Sequence, residues 1–167
     1  NKASINSKDI KKNNIFFGIK GKNIDGNKFA DEALKKKASI CILEKNYSKK
    51  NPRKIFVKDT LKTFSNLSCI IRKSLGTPIV AITGSAGKTS LKELIGQSLN
   101  TLIPTSYSKK SFNNQYGVPL SLFNIDMKHK IGVFEIGMDK KGEIQKLSNL
   151  IRPDIGVITN CLLYTSD

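Results

Sequence analysis

Tryptophan is absent from this chain, histidine occurs once, and acidic residues are scarce beside the basic ones. No apolar run approaches the roughly 20 residues that a membrane-spanning helix requires, and no secretory leader is read at the start. The first residue is Asn1 rather than methionine, so the true start is expected to lie upstream. The three cysteines, Cys41, Cys69 and Cys161, stand far apart, without CxxC spacing and without a histidine beside them. That arrangement argues against a zinc site or a disulfide framework and predicts three reduced thiols in a cytoplasmic protein.

What is present reads as globular. Of the 167 residues 38% are hydrophobic, and the apolar runs Ile79–Ile82 and Ile131–Ile136 are short and sharply bounded. Lys and Arg number 29 against 13 Asp and Glu, a formal charge of +16. Such an excess raises the question of nucleic acid. The lysines, however, are scattered in pairs and triplets (Lys35-Lys36-Lys37, Lys49-Lys50, Lys109-Lys110, Lys140-Lys141) and are not interleaved with aromatic side chains. A basic surface also suits a polyanionic small substrate. We expect neither nucleic acid nor membrane as the main partner.

Two segments differ in character, which predicts a domain over residues 1–76 and a second over 77–167. The first holds strand-like runs at Ile15–Ile19, Ser39–Leu43 and Lys54–Val57. A helix is expected over Asn27–Lys37, with Phe29, Ala30, Ala33 and Leu34 on one face. Another is expected over Thr60–Leu75, with Leu61, Phe64, Leu67, Ile70 and Ile71 at helical spacing. Gly76-Thr77-Pro78 marks the boundary. Beyond it, strand Ile79–Thr83 leads through a glycine-rich loop into a helix over Lys88–Leu99, whose apolar face is Leu91, Leu94, Ile95 and Leu99. A helix from Gly117 through Leu122, a strand over Ile131–Ile136, a helix over Gly142–Leu150 and a strand over Ile155–Thr159 follow. Strands alternating with helices predict a parallel α/β sheet with helices on its faces.

The loop Gly84-Ser85-Ala86-Gly87-Lys88-Thr89-Ser90 follows an apolar strand directly and opens a helix, the context a phosphate loop needs. Small residues let successive N–H groups turn inward, and the helix N-terminus adds partial positive charge. Lys88 adds a full charge, and the Thr89 hydroxyl is a ligand for Mg²⁺. ATP with Mg²⁺ is therefore the expected cofactor. The spacing is not the general GxxxxGK[ST] form, because that form needs glycine where Ile82 stands. The shorter T-G-x-x-G-K-T form points to a narrower group.

That short loop resembles the Mur ligase family, ATP-dependent amide ligases of peptidoglycan precursor synthesis, and their folylpolyglutamate synthetase relatives. Further blocks resemble the branch that adds D-alanyl-D-alanine. They are Asn113-Asn114-Gln115-Tyr116-Gly117-Val118-Pro119-Leu120, then Phe134-Glu135-Ile136-Gly137-Met138 with Gly142-Glu143-Ile144, then Arg152-Pro153-Asp154 through Thr159-Asn160. Upstream, Ser4 to Lys8, Ile15 to Gly21 and Asp25-Gly26-Asn27-Lys28-Phe29 are similar to the family's small N-terminal uridine-nucleotide-binding domain. There Asn6, Lys8 and Asn27 replace the usual Asp, Arg and His, and lysine lacks arginine's planar fork.

The resemblance implies a fold, an N-terminal α/β domain followed by the first part of a P-loop ATPase domain. It also implies a reaction: ATP phosphorylates the carboxylate of a UDP-N-acetylmuramoyl tripeptide, and the amine of D-Ala-D-Ala displaces the phosphate. On this basis Lys88 and Glu135 are the expected catalytic residues, and Thr89 and Glu135 the Mg²⁺ ligands. Ser7, Lys8 and Asp25 would meet the UDP moiety, and Asn113 and Asn114 the substrate pyrophosphate. Asn at those positions equally suits helix capping, Ser7, Lys8 and Asp25 equally suit a surface turn, and Glu135 also suits a structural acid paired with a neighbouring lysine. Thr159 and Asn160 either line the cleft or end a strand, and His129 reads as solvated. The full-length enzyme is expected to be a monomer. A sister ligase adding a single amino acid, or a basic P-loop ATPase acting on nucleic acid, are the alternatives. The family's histidine shortly after Thr-Asn, its modified lysine and its C-terminal domain have no counterpart here. A fragment inactive alone is therefore expected, with residues 161–167 foreign to the family pattern and an exposed sheet edge that lowers solubility.

Overall fold

The structure, a computed structural model, describes residues 2–47, 50–108 and 111–161. The chain divides into two compact units, residues 1–67 and 68–167. Among the described residues, no helix is long and apolar enough to cross a membrane.

The first unit is a four-stranded parallel sheet in the order β1-β2-β3-β4, with β1 at Ala3–Ser4, β2 at Ile15–Phe17, β3 at Ile40–Leu43 and β4 at Lys54–Phe56. Successive side chains of a strand point to opposite faces, and the sheet uses both. Phe16, Cys41 and Leu43 pack with Ala30, Ala33 and Leu34 of helix α1, Ala30–Lys35. Phe17 faces the other way and meets Phe64, their ring centroids 4.4 Å apart. The helix expected from Asn27 begins instead with a 3-10 turn, Gly26–Phe29, because the Asp25 carboxylate accepts from the Asn27 N–H and fixes the entry there.

Helix α2, Thr60–Ser74, contains the division between the units. Its residues up to Leu67 belong to the first, with Thr60 N–H donating to Glu44 Oε1 at 2.8 Å. Its last turns belong to the second. Ser68 Oγ donates to Pro119 O, and the Arg72 guanidinium reaches Ile151 O, Arg152 O and Asp154 Oδ2. These bonds explain why the division falls before Gly76. Ile70, expected on the buried face, is exposed, and Ser68 is buried in its stead.

The second unit holds a parallel sheet in the order β6-β7-β5-β8, built from β5 Ile79–Thr83, β6 Thr105–Tyr107, β7 Ile131–Glu135 and β8 Ile155–Ile158. Strand β5 alternates cleanly. Ile79 and Ala81 pack with Val118 and Leu122 of helix α4, Gly117–Phe123, and with Leu147 and Ile151 of helix α5, Glu143–Ile151. Val80 and Ile82 face Leu91, Ile95 and Leu99 of helix α3, Lys88–Asn100. The result is the two-sided α/β layering that strand–helix alternation predicts.

The buried face of α3 is rotated from the expected one. Leu94 is 64% exposed, whereas Lys92 is fully buried and Gly96 lies against the Tyr107 ring. A Cβ at position 96 would come within 2.4 Å of that ring, so glycine is what lets α3 approach β6 this closely. Strand β6 is short and polar and stands at the sheet edge, and nothing in its T-S-Y sequence announces it.

Candidate functional site

Parallel α/β sheets present ligand-binding groups beyond the C-terminal ends of their strands, and three strand ends of the second unit meet there. Strand β5 ends at Thr83 and passes into the loop Gly84–Gly87 before α3 begins at Lys88. Gly84 has φ +139° and Gly87 φ +80°, conformations that a side chain disfavours. At Gly84 space forbids one as well, because a Cβ would sit 2.1 Å from Thr159 Oγ1. Gly87 at the helix entrance brings no side chain to compete for the first-turn N–H groups.

The loop is shaped from outside by the exit of β8. Ser85 donates to Asn160 O through both its N–H, at 2.7 Å, and its hydroxyl, at 2.9 Å. The Thr159 hydroxyl bonds to Ala86 O and, at 3.2 Å, to Thr83 O. Of the two roles open to Thr159 and Asn160, the structure therefore gives them more than ending a strand: they brace the loop. Lys88 Nζ folds back onto Gly84 O, which holds the ammonium over the loop. Ser90 is exposed in the first turn of α3, and Ala86 is exposed at the loop's crest.

Strand β7 delivers Glu135, only 2% exposed, to the same end of the sheet. Both of its carboxylate oxygens are engaged: Oε2 accepts from Thr89 Oγ1 at 2.7 Å and Oε1 from Asn113 Nδ2 at 2.8 Å. Ser111 Oγ lies 3.1 Å from Thr89 Oγ1. Asn113 is further fixed because its carbonyl accepts from Gly137 N–H at 2.6 Å. Asn114 plays the capping role: its Oδ1 accepts from the N–H groups of Tyr116 and Gly117 at the start of α4, both at 3.0 Å. The structure thus brings Lys88, Thr89, Glu135 and Asn113 together and gives Asn114 a structural task beside them.

Two residues escaped the sequence reading. Ser111 stands outside the Asn113–Leu120 block, and only the folded chain carries it to Thr89. Lys92 has its ammonium 3.5 Å from Ser108 Oγ and 3.8 Å from Glu93 Oε1. It is joined to the segment that leads from β6 towards Ser111. A basic residue one helical turn beyond Lys88 reads in sequence as a solvated face.

The candidates in the first unit enter two hydrogen-bond groups. Ser7 Oγ donates to Glu32 Oε2 at 2.9 Å, and Glu32 also pairs with Lys36 at 3.0 Å. Those two donors, Lys36 foremost, hold the Glu32 carboxyl below its ordinary value. Lys8 is exposed, and its backbone N–H caps onto Asn6 Oδ1. Asp25 belongs to the second group, accepting from Asn27 N–H, from Asn27 Nδ2 and, at 2.8 Å, from Tyr47 OH. Its pKa is lowered, chiefly by the Asn27 amide. Asn27 is buried, and its Oδ1 accepts from Glu44 N–H at 2.7 Å and Lys45 N–H at 3.3 Å. Asn27, at the position where the sequence lacks the family's histidine, is therefore a clamp between two loops. His129, read as solvated, is half-buried, and its Nδ1 accepts from Asp126 N–H at 2.9 Å.

Among the described residues no cluster of three or more His, Cys, Asp or Glu side chains offers a ready metal cage. The donors at Thr89 and Glu135 are hard oxygens instead. They suit a cation that keeps waters and takes a share of its ligands from nucleotide phosphates, as Mg²⁺ does.

Comparison with known proteins agrees with this geometry. Residues 82–162 match the Mur ligase middle domain. The UDP-N-acetylmuramoyl-tripeptide--D-alanyl-D-alanine ligase of Buchnera aphidicola subsp. Acyrthosiphon pisum is 36% identical over 160 residues, 96% of this chain and 35% of that protein. The crystal structure of MurF from Acinetobacter baumannii superposes with a TM-score of 0.82 at 27% identity, over 94% of this chain and 35% of that one. MurF ligase from Thermotoga maritima in complex with ADP gives 0.79 at 30% identity, over 95% of this chain and 37% of that one. The chain spans about a third of the length of the relatives it matches.

Proposed function

The chain belongs to the Mur ligase family, and we propose that it carries the phosphate site of an ATP-dependent ligase that joins D-alanyl-D-alanine to a UDP-N-acetylmuramoyl tripeptide. The observation that carries this reading is the meeting of the phosphate loop, Glu135 and the Asn113 block at one end of one sheet. The ADP complex of the Thermotoga maritima relative supports a nucleotide at the loop.

In this reading the Gly84–Ser90 backbone wraps the phosphates, and Lys88 moves from Gly84 O onto the β- and γ-phosphates. Thr89 and Glu135 hold Mg²⁺. When bound, that ion neutralises charge on the phosphates as they shift. The tripeptide carboxylate attacks the γ-phosphorus, ADP leaves, and the dipeptide amine then displaces phosphate from the acyl carbon. Phosphoryl transfer needs positioning and charge neutralisation more than covalent help, and these residues supply both. Asn113, held between Glu135 and Gly137, presents its segment to the substrate pyrophosphate, with Asn114 fixing the helix entrance beside it. The UDP moiety falls to the first domain, residues 1–76, with Ser7, Lys8 and Asp25 as contacts, and residues 77–167 supply part of the ATPase domain. A monomeric cytoplasmic enzyme of cell-wall precursor synthesis completes the proposal.

The test is phosphate release by the full-length protein carrying this chain, given ATP, Mg²⁺ and UDP-N-acetylmuramoyl tripeptide. Release should require D-Ala-D-Ala and vanish in Lys88→Ala. Release with a single amino acid instead would move the chain to a sister ligase, and no dependence on any amine would end the ligase reading.

A further inference from the structure

We propose that the Ser111 hydroxyl is a third protein oxygen of the divalent-cation site at Thr89 and Glu135, an inference that rests on the cation reading of that pair. Ser111 Oγ, Thr89 Oγ1 and Glu135 Oε2 form a chain of oxygens with spacings of 3.1 and 2.7 Å. An octahedral Mg²⁺ binds oxygen at about 2.0–2.1 Å, which sets neighbouring ligands about 2.9 Å apart. The two spacings bracket that edge length.

The proton count agrees. Thr89 has one hydroxyl proton and gives it to the carboxylate, an acceptor. Ser111 must then turn its own proton towards Thr89 Oγ1, onto the lone pair a cation would use. Ser111 is exposed, so rotation about a single bond hands that proton to water and leaves the Ser111 lone pairs facing the cation. Glu135 cannot swing away to relieve the crowding, because Asn113 holds its other oxygen.

Ser111 also comes from a different part of the chain than the loop. It lies between β6 and α4, two residues before Asn113. Ligation by Ser111 would fasten residues 111–113, the stretch proposed to face the second substrate, to the nucleotide's cation. Lys92, buried under the start of the same segment beside Ser108, fixes where it leaves the sheet.

The probe is Mn²⁺ binding in the presence of ADP, followed by electron paramagnetic resonance and titration calorimetry on this chain. All variants are made in a Cys161→Ser background under reducing conditions, since that exposed thiol would take soft metals itself. Ser111→Ala is expected to weaken Mn²⁺ by roughly tenfold and to leave metal-free ADP affinity unchanged. Ser111→Cys should move the preference from Mn²⁺ towards thiophilic Cd²⁺, a change that a merely structural serine would not produce. Thr89→Ala and Glu135→Gln serve as controls. If both lose Mn²⁺ while Ser111→Ala keeps it, or if Ser111→Cys gains no Cd²⁺ affinity, Ser111 is not a ligand and the pair stands without it. If neither control loses Mn²⁺, the cation reading of the pair fails, and Ser111 falls with it.

Discussion

The Thr89 hydroxyl donates to the Glu135 carboxylate across 2.7 Å, tying the first turn of α3 to the end of β7. Because Asn113 occupies the other carboxylate oxygen, three separate segments meet on one buried acid. An unpartnered polar group at such a place costs about 1–3 kcal/mol. Glu135→Gln keeps the shape but puts an amide N–H where an acceptor is needed. We expect it to abolish the Mg²⁺ enhancement of ADP binding while lowering stability by about 1–2 kcal/mol. Calorimetric ADP titrations with and without Mg²⁺ check this, and an enhancement that survives would place the cation elsewhere.

Gly84 offers a second test. Alanine there would meet Thr159 Oγ1 and would also carry the unfavourable φ of +139°. Gly84→Ala should cost about 1–3 kcal/mol and weaken nucleotide binding. Thr159→Ala removes the closest contact but also the two hydroxyl bonds that brace the loop, so the reference is Thr159→Ala alone. In that background Gly84→Ala should still lower the melting temperature, by less than it does in the wild type; no loss at all would mean that the backbone strain costs nothing.

Asn27 joins Asp25 to residues 44 and 45 from a buried position. Asn27→Ala is expected to destabilise the chain by about 2–3 kcal/mol in urea unfolding. Asn27→Asp should be worse at pH 7 than at pH 4, because it sets a second carboxylate against Asp25 and removes the donor that keeps the Asp25 pKa low. Equal stability at both pH values would contradict this.

The cysteines should differ sharply in reactivity. Burial pushes the Cys41 thiol up to about 11, while Cys161 is exposed. At pH 8 a thiol reagent should modify Cys161 quickly and Cys41 only on unfolding. The unfolded thiol ionises near pH 8.5, so the stability owed to the neutral, buried Cys41 is complete below that value and is lost as pH rises towards about 11. Urea midpoints across this range should fall more steeply in the wild type than in Cys41→Ala.

Among the described residues of this chain, β8 pairs on one side only, with β5, and Ile158 is 72% exposed. Exposed apolar edges promote strand-to-strand association. Ile158→Lys should raise the concentration at which light scattering first appears and change stability by less than about 0.5 kcal/mol.

Much of this was legible in the residues. Ile79–Thr83, an apolar run ended by glycine, identifies itself as a central strand, and the loop after it fixes where α3 begins. Glu135 could be placed because it closes another apolar run. The rest depended on contacts distant in sequence. Thr105–Tyr107 has no apolar alternation, since an edge strand of three residues needs none. Leu94 and Lys92 exchanged their expected places because Gly96 sets α3 against Tyr107, and that rotates the buried stripe. Ser111 gave no signal, as its partner lies 22 residues earlier. In the first unit the family-like positions could be found, but the sequence did not reveal that Asn27 holds two loops together.

The order of strands across the second sheet sets a timetable for synthesis. Strand β5 is made first yet lies between β7 and β8, so neither of its neighbours exists when it leaves the ribosome. The bonds that shape the phosphate loop span 73 to 76 residues, from Thr159 and Asn160 back to Thr83, Ser85 and Ala86. Contacts this distant in sequence slow folding. Until the ribosome has passed Asn160, the nascent chain can hold a finished helix α3 and still have no formed loop to receive a nucleotide. The formed loop would therefore arrive in one step with β8, and not with the helix it opens.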